Sequence, residues 1–99
     1  MEYKLQYMDL ALQDMAGIKE YLSGFYPDTW TRFWEKVMDK TALLASSPYM
    51  CEAYQPNPNY RRLIVENYLV FYKVNDSEKT IYIHRVLHGT RNIQQYLDF

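Results

Sequence analysis

Four arginines and a histidine in the C-terminal half are the side chains best equipped for chemistry: Arg61, Arg62, Arg85, Arg91 and His88. A guanidinium holds carboxylates and phosphates in planar, bidentate contacts. An imidazole with an unperturbed pKa near ~6.5 suits proton transfer. From Tyr60 to Phe99 six cations (Arg61, Arg62, Lys73, Lys79, Arg85, Arg91) stand against four anions (Glu66, Asp76, Glu78, Asp98). The net is +2 before either histidine is protonated, and both histidines fall in this half.

Each of these residues has a functional reading and a plainer one. Arg61 and Arg62 are consecutive in a β-forming run, so they point to opposite faces and only one can reach a bound ligand; the alternative is a solvated edge pair. By alternation Arg85 shares a face with Ile81, Ile83 and Leu87. An arginine in such an apolar row either serves a ligand, pairs with a carboxylate or snorkels to water. His84 falls on the opposite face with Tyr82 and Val86 and reads as a packed or surface histidine. His88 ends its strand beside Gly89, where the backbone can turn sharply. There it either transfers protons or bonds the turn. Arg91 sits in the first turn of a terminal helix, where a cation opposes the helix dipole. A phosphate, a partner carboxylate or nothing at all then holds it. Tyr96 offers a stacking ring or a proton, or packs beneath the final helix.

Other chemistries lack their residues. Cys51 is the sole cysteine, so no internal disulfide forms. It lies in a proline-rich loop with no histidine close in sequence and reads as no nucleophile. Metal-ligand spacing is absent, and three glycines cannot build a phosphate loop. Glu2, Glu20, Glu35 and Glu52 show no paired-carboxylate spacing. No cofactor is expected.

The elements that position these residues follow from periodicity. Tyr3, Leu5 and Tyr7 alternate with polar neighbours as a short strand. Asp9 stands where an N-cap belongs, ahead of the helical stripe Ala11, Met15, Ile18, Leu22 and Phe25. Gly17 weakens that helix by roughly 1 kcal/mol relative to alanine, and Ser23-Gly24 with Pro27 ends it. Asp28 or Thr29 caps a second helix with the stripe Trp30, Phe33, Trp34, Val37, Thr41 and Leu44, stopped at Ser46-Ser47-Pro48. So short a connection predicts an antiparallel hairpin, with the Trp30–Trp34 pair in its core or one ring at a partner interface. Residues 48–59 hold three prolines and two asparagines and read as a loop. Two β runs then flank Glu66-Asn67, a third spans Thr80 to Leu87, and Thr90 to Leu97 predicts a short helix with Ile93 and Leu97 on one side.

The expected fold is therefore α+β in the order β-α-α-β-β-β-α. A helix hairpin packs on one face of a small, mostly antiparallel sheet and leaves the other face largely open. Ninety-nine residues, 1–99, make a single domain. A hydrophobic fraction of 48% with 23% charged residues suits a folded globule. A net charge of -1 argues against a non-specific nucleic-acid coat protein. No apolar run approaches the ~20 residues of a membrane span, and no leader pattern opens the sequence. A soluble, reducing, cytoplasmic setting is expected.

In this order of elements, three blocks carry a family likeness. They are Tyr60-Arg61 with Leu63 and Val65, then Asn67-Tyr68-Leu69-Val70-Phe71-Tyr72-Lys73-Val74, then Ile83-His84-Arg85-Val86-Leu87-His88-Gly89-Thr90-Arg91-Asn92. With them the chain resembles, over essentially its whole length, the RelE/ParE superfamily of type II toxin–antitoxin toxins. The resemblance implies a cytoplasmic bacterial protein that arrests growth unless a cognate antitoxin holds it. RelE-like members cut messenger RNA in the ribosomal A site, whereas ParE-like members are described as poisoning DNA gyrase. In the RelE-like branch an arginine usually follows the aromatic residue that opens the middle strand of the meander. Here that place holds Leu69, which cannot steady a pentavalent phosphate, and the reading tilts toward gyrase. The alternative is a metal-independent endoribonuclease in which Arg62, Arg85, His88 and Arg91 bind or protonate the scissile phosphate. A further alternative is an inert antitoxin-binding module. If the His88-Gly89 turn is the working site, Arg91→Ala abolishes growth arrest on induced expression; undiminished arrest would move the site elsewhere.

Overall fold

The computed structural model describes residues 2–90 and 92–97, with only the backbone at Gln94. The elements run β1 (Lys4–Tyr7), α1 (Asp9–Ser23), α2 (Thr29–Ser46), β2 (Arg61–Val65), β3 (Tyr68–Asn75), β4 (Thr80–His88) and α3 (Ile93–Leu97). This is the α+β order read from the sequence. The four strands lie in the order β1-β4-β3-β2. β2, β3 and β4 form the antiparallel meander, while β1 pairs parallel with the first half of β4, Lys4 opposite Thr80 and Tyr7 opposite Ile83.

The helix stripes bury as their spacing predicts, with exceptions at the ends. Ala11, Met15 and Ile18 of α1 and Phe33, Val37, Thr41 and Leu44 of α2 are buried. They pack on Leu63, Val65, Val70, Tyr72, Ile81 and Ile83 in the main core. Phe25 departs from its stripe: α1 stops at Ser23 with Gly24 as its cap, and the ring beyond is 56% exposed. Asp9 is not the N-cap either. Met8 occupies that position without a side-chain bond, and Asp9 sits in the first turn, where its charge favours the helix dipole. Of the Trp30–Trp34 pair, which stacks at 5.7 Å, Trp30 packs against the core and Trp34 stays 36% exposed.

The second sheet face is less open than the sequence predicts. Tyr60, Phe71, Leu87, Ile93 and Leu97 form a second buried cluster, with Tyr54, Leu69 and Tyr96 packed around it. The expectation counted only the hairpin as cover. Phe71 and Leu87 are too apolar to leave wet, and α3 with the Tyr54 loop covers them. α3 is also shorter than read, starting at Ile93 rather than Thr90. What stays exposed on this face lies toward β2, at Arg62 and Ile64.

A β-bulge in β4 sets which side chains share a face. Phe71 pairs with Arg85 but Tyr72 pairs with Ile83, so His84 is an extra residue between them. Strict alternation therefore fails across it. Ile81 and Ile83 lie in the main core with Val86, whereas Arg85 and Leu87 fall on the other face. The alternation reading had Arg85 with Ile81 and Ile83, and His84 with Val86; the inserted residue reverses both.

The loop before β2 is tied down by polar contacts. The Asp76 carboxylate accepts from the Tyr3 and Tyr49 hydroxyls. These two bonds hold its carboxyl below the usual range, and the same contact pushes the Tyr3 phenol up to about 12. Arg61 donates to the Cys51 carbonyl and lies 4.7 Å from the Tyr49 ring centroid. Arg61 thus serves the loop.

Candidate functional site

The sequence candidates part company in three dimensions. Arg62, Phe71 and Arg85 form one cross-strand row on the face away from the hairpin. Adjacent strands stand about 4.8 Å apart, so the two guanidinium-bearing positions flank Phe71. Arg62 is exposed and lies 5.8 Å from the Tyr54 ring centroid. Its guanidinium is stacked yet reachable from solvent.

Arg85 is committed within the protein. Its Nε and Nη2 each donate to the Asp14 carboxylate at 2.8 Å, and Nη1 donates to the Tyr96 carbonyl at 3.2 Å. The Tyr96 ring lies 5.3 Å from the guanidinium. The side chains of Arg85 and Asp14 are only 12% and 13% exposed. The hydrogen bonds to Asp14 raise the guanidinium pKa, against the opposing effect of burial. Asp14 also accepts from the Val86 amide at 2.9 Å. One carboxylate thus satisfies a largely buried cation and a strand-edge donor.

His88 lies on the hairpin side of the sheet. It pairs in register with Tyr68, whose ring meets the imidazole edge-on at 5.1 Å. Its Nδ1 accepts from the Thr90 amide at 3.2 Å and stands 2.7 Å from the Thr90 hydroxyl. An accepting Nδ1 places the proton of the neutral ring on Nε2. The imidazole therefore bonds the turn, as the plainer reading has it, and its Nε2 is not engaged in that bond. Gly89 belongs to the same turn, its amide donating to the Asn67 carbonyl at 2.9 Å. Arg91, the remaining candidate, lies outside the described residues.

His84, carried outward by the bulge, joins a cationic and aromatic patch. Its ring meets Tyr60 edge-on at 5.3 Å, and the Lys73 ammonium lies 4.6 Å from the same tyrosine's centroid. Burial holds the imidazole pKa below its ordinary value, and the Lys73 charge adds to the effect. A histidine whose folded pKa is depressed stabilises the fold above the unfolded value near ~6.5. That contribution is lost as pH falls through ~6.5 toward the lower folded value. Urea midpoints measured from pH ~7.5 down to ~5.5 should therefore fall more in the native protein than in His84→Gln. Identical slopes in the two proteins would show that His84 does not carry the effect.

An open cleft of about 570 Å³ lies where α1 crosses the end of β4, lined among others by Gln13, Gly17, Tyr21, Tyr68, His88 and Thr90. A smaller one of about 390 Å³ adjoins His84 at the β1–α1 junction. Among the described residues no three His, Cys, Asp or Glu side chains gather as metal ligands, and no helix is long and apolar enough to cross a membrane. Within the described residues, then, Arg62 and Arg85 share one sheet face and His88 occupies the other. The residue that sequence reading missed is Asp14. It sits beside Met15 in the α1 stripe, and its partner lies 71 positions away, beyond any local signal.

Leu69 packs against the second cluster and pairs with Ile64 and Leu87. It is a structural apolar residue at the position where the sequence reading expects the arginine usual in the RelE-like branch.

Known proteins share this architecture. The toxin–antitoxin ParDE system of P. aeruginosa superposes with a TM-score of 0.73 at 16% identity, covering 88% of this chain and 96% of that one. The intact E. coli RelBE complex gives 0.65 at 16%, covering 90% and 99%. The RelE–RelB complex of Pyrococcus horikoshii gives 0.61 at 16%, covering 92% and 99%. At these identities the likeness speaks for the fold. No curated protein matches in sequence. The family model of the ParE toxin of the type II toxin–antitoxin system parDE, however, matches residues 5–93, so the chain belongs to the ParE toxin family of type II toxin–antitoxin systems.

Proposed function

We propose that this toxin arrests bacterial growth by acting on DNA gyrase in the cytoplasm and is neutralised by a cognate antitoxin. The observation that carries the choice of target is Leu69, packed among apolar residues at the position expected of a phosphate-steadying arginine. Supporting it, Arg85 is neutralised by Asp14, and His88 is set on the other sheet face from Arg62 and Arg85. Metal-free RNA cleavage needs a base, an acid and free cations converging on one phosphate. The described residues offer no such convergence, whereas a protein target requires only a complementary surface.

The test is induced expression with DNA-break and ribosome-footprint readouts in the same cells. Double-strand breaks with intact messages are expected. Codon-phased cuts in the A site would replace the gyrase reading with the endoribonuclease. Unaffected growth with abundant folded protein would leave an inert antitoxin-binding module.

A further inference from the structure

We propose that Arg62 and Lys73, with Ile64 beside them, form the surface through which the toxin grips its target, and that the target presents carboxylates around an apolar side chain there. The proposal deepens the gyrase reading above and rests on it. Other cations of the meander already have polar partners. Arg85 is held by Asp14, and Arg61 donates to the Cys51 carbonyl. The side chains of Arg62 and Lys73 make no hydrogen bond or ion pair among the described residues.

The acids close to them in the sheet are occupied elsewhere. Glu66 pairs with Lys36, Asp76 accepts from the Tyr3 and Tyr49 hydroxyls, and Glu78 accepts from the Tyr82 hydroxyl. Glu52 meets Arg62 through the backbone, its carbonyl accepting the Arg62 amide at 3.4 Å. The carboxylates that would answer these two cations must therefore come from another molecule.

Both cations belong to the face away from the hairpin. Arg62 stands opposite Phe71, and Lys73 lies two residues further along β3, a diagonal separation of about 7–8 Å. Each charge rests near a ring: the guanidinium 5.8 Å from the Tyr54 centroid, the ammonium 4.6 Å from that of Tyr60. Tyr60 is part of the second cluster and Tyr54 packs against it, so the rings form a fixed floor under the charges. A stacked guanidinium keeps its N–H edge available for a carboxylate. Ile64, two residues from Arg62 on the same face, is 52% exposed.

This composition favours an acidic protein surface over a phosphate backbone. Binding on the scale of about 6–10 phosphate contacts needs a matching set of cations. Two stand free here, and the chain as a whole carries a net charge of -1. Burial and the Lys73 charge keep the neighbouring His84 imidazole from adding a third at neutral pH. A phosphate backbone also offers nothing to Ile64, whereas an acidic patch with an apolar centre meets all three side chains.

The test measures binding of the full chain to purified DNA gyrase, to the antitoxin encoded by the neighbouring reading frame, and to a short DNA duplex. Arg62→Glu with Lys73→Glu should weaken gyrase binding at least about tenfold, chiefly through slower association, and antitoxin binding by less than about twofold. Raising the salt concentration should weaken gyrase binding of the native protein and change that of the reversed variant little. Lys19→Glu, exposed on α1, is the charge control and should bind gyrase within about twofold of the native protein. If the double reversal lowers the urea midpoint, Arg62→Glu alone, at the more exposed position, decides. Gyrase binding unmoved by the reversal overturns the surface and leaves the gyrase reading standing. Antitoxin binding that falls as far as gyrase binding, at an unchanged urea midpoint, overturns it in favour of an antitoxin contact. Charge-sensitive binding of the bare duplex overturns it in favour of nucleic acid. No gyrase binding by the native protein would remove both readings.

Discussion

Replacing Asp14 with alanine is expected to destabilise the protein by about 3 kcal/mol, a loss typical of breaking one partner out of a buried ion pair. The carboxylate accepts three hydrogen bonds, two from Arg85 and one from the Val86 amide. Removing it strands a guanidinium that is only 12% exposed and an amide at the edge of β4. The cost is the desolvation of those groups more than the attraction lost, because charge pairs taken out of water repay little on balance. A paired change should therefore recover stability. Asp14→Leu with Arg85→Met removes the orphaned charge, leaving the Val86 amide and the Tyr96 carbonyl without these partners, and should lie well above Asp14→Ala alone in urea unfolding. A double variant no better than the single one would mean that the pair itself, rather than the orphaned cation, carries the energy. Because Arg85 also holds the Tyr96 carbonyl, Asp14→Ala should loosen α3, seen as faster amide exchange across Ile93–Leu97.

Phe71→Ala should cost about 4 kcal/mol, within the range for deleting a fully buried aromatic side chain. Phe71 is 0% exposed, meets Tyr54 edge-on at 5.0 Å and sits in the second cluster with Leu87, Ile93 and Leu97. That cluster is small, so neighbouring side chains have few ways to refill the space. The main core has the hairpin on its far side and can survive a local loss. Phe71→Ala is therefore expected to release α3 and the Tyr54 loop to proteolysis in conditions where β1 and the hairpin remain protected. Val70→Ala, on the other face of the same strand, should instead lower the stability of all elements together. Equal protection of α3 in both variants would mean that the terminal helix is held by something other than the second cluster.

Most of the fold was legible because its signals are local. The stripe Ala11, Met15, Ile18 needs only the 3.6-residue turn to declare a buried helix face, and it is buried. The run from Leu69 to Val74 declares a strand by composition, and the polar pair Glu66-Asn67 declares a turn. Leu69 could be recognised as a departure before any coordinates, because it depends on order along the chain alone.

The site resisted such reading for two physical reasons. A β-bulge inserts one residue and reverses the face of every residue beyond it; no feature of Ile83-His84-Arg85 announces it. That single insertion put Arg85 opposite the main core and His84 beside Tyr60. Long-range pairing is equally silent: Asp14 and Arg85 are 71 positions apart, and their contact follows from α1 crossing β4 where β1 has ended. By itself the sequence determined the elements, their order and the family, since periodicity and motif order are properties of neighbours in the chain. Only the tertiary structure decided which cations are held by carboxylates, which face His88 occupies, and that α1 rather than β1 flanks the end of β4. Those outcomes depend on register and crossing geometry, which arise when distant segments pack.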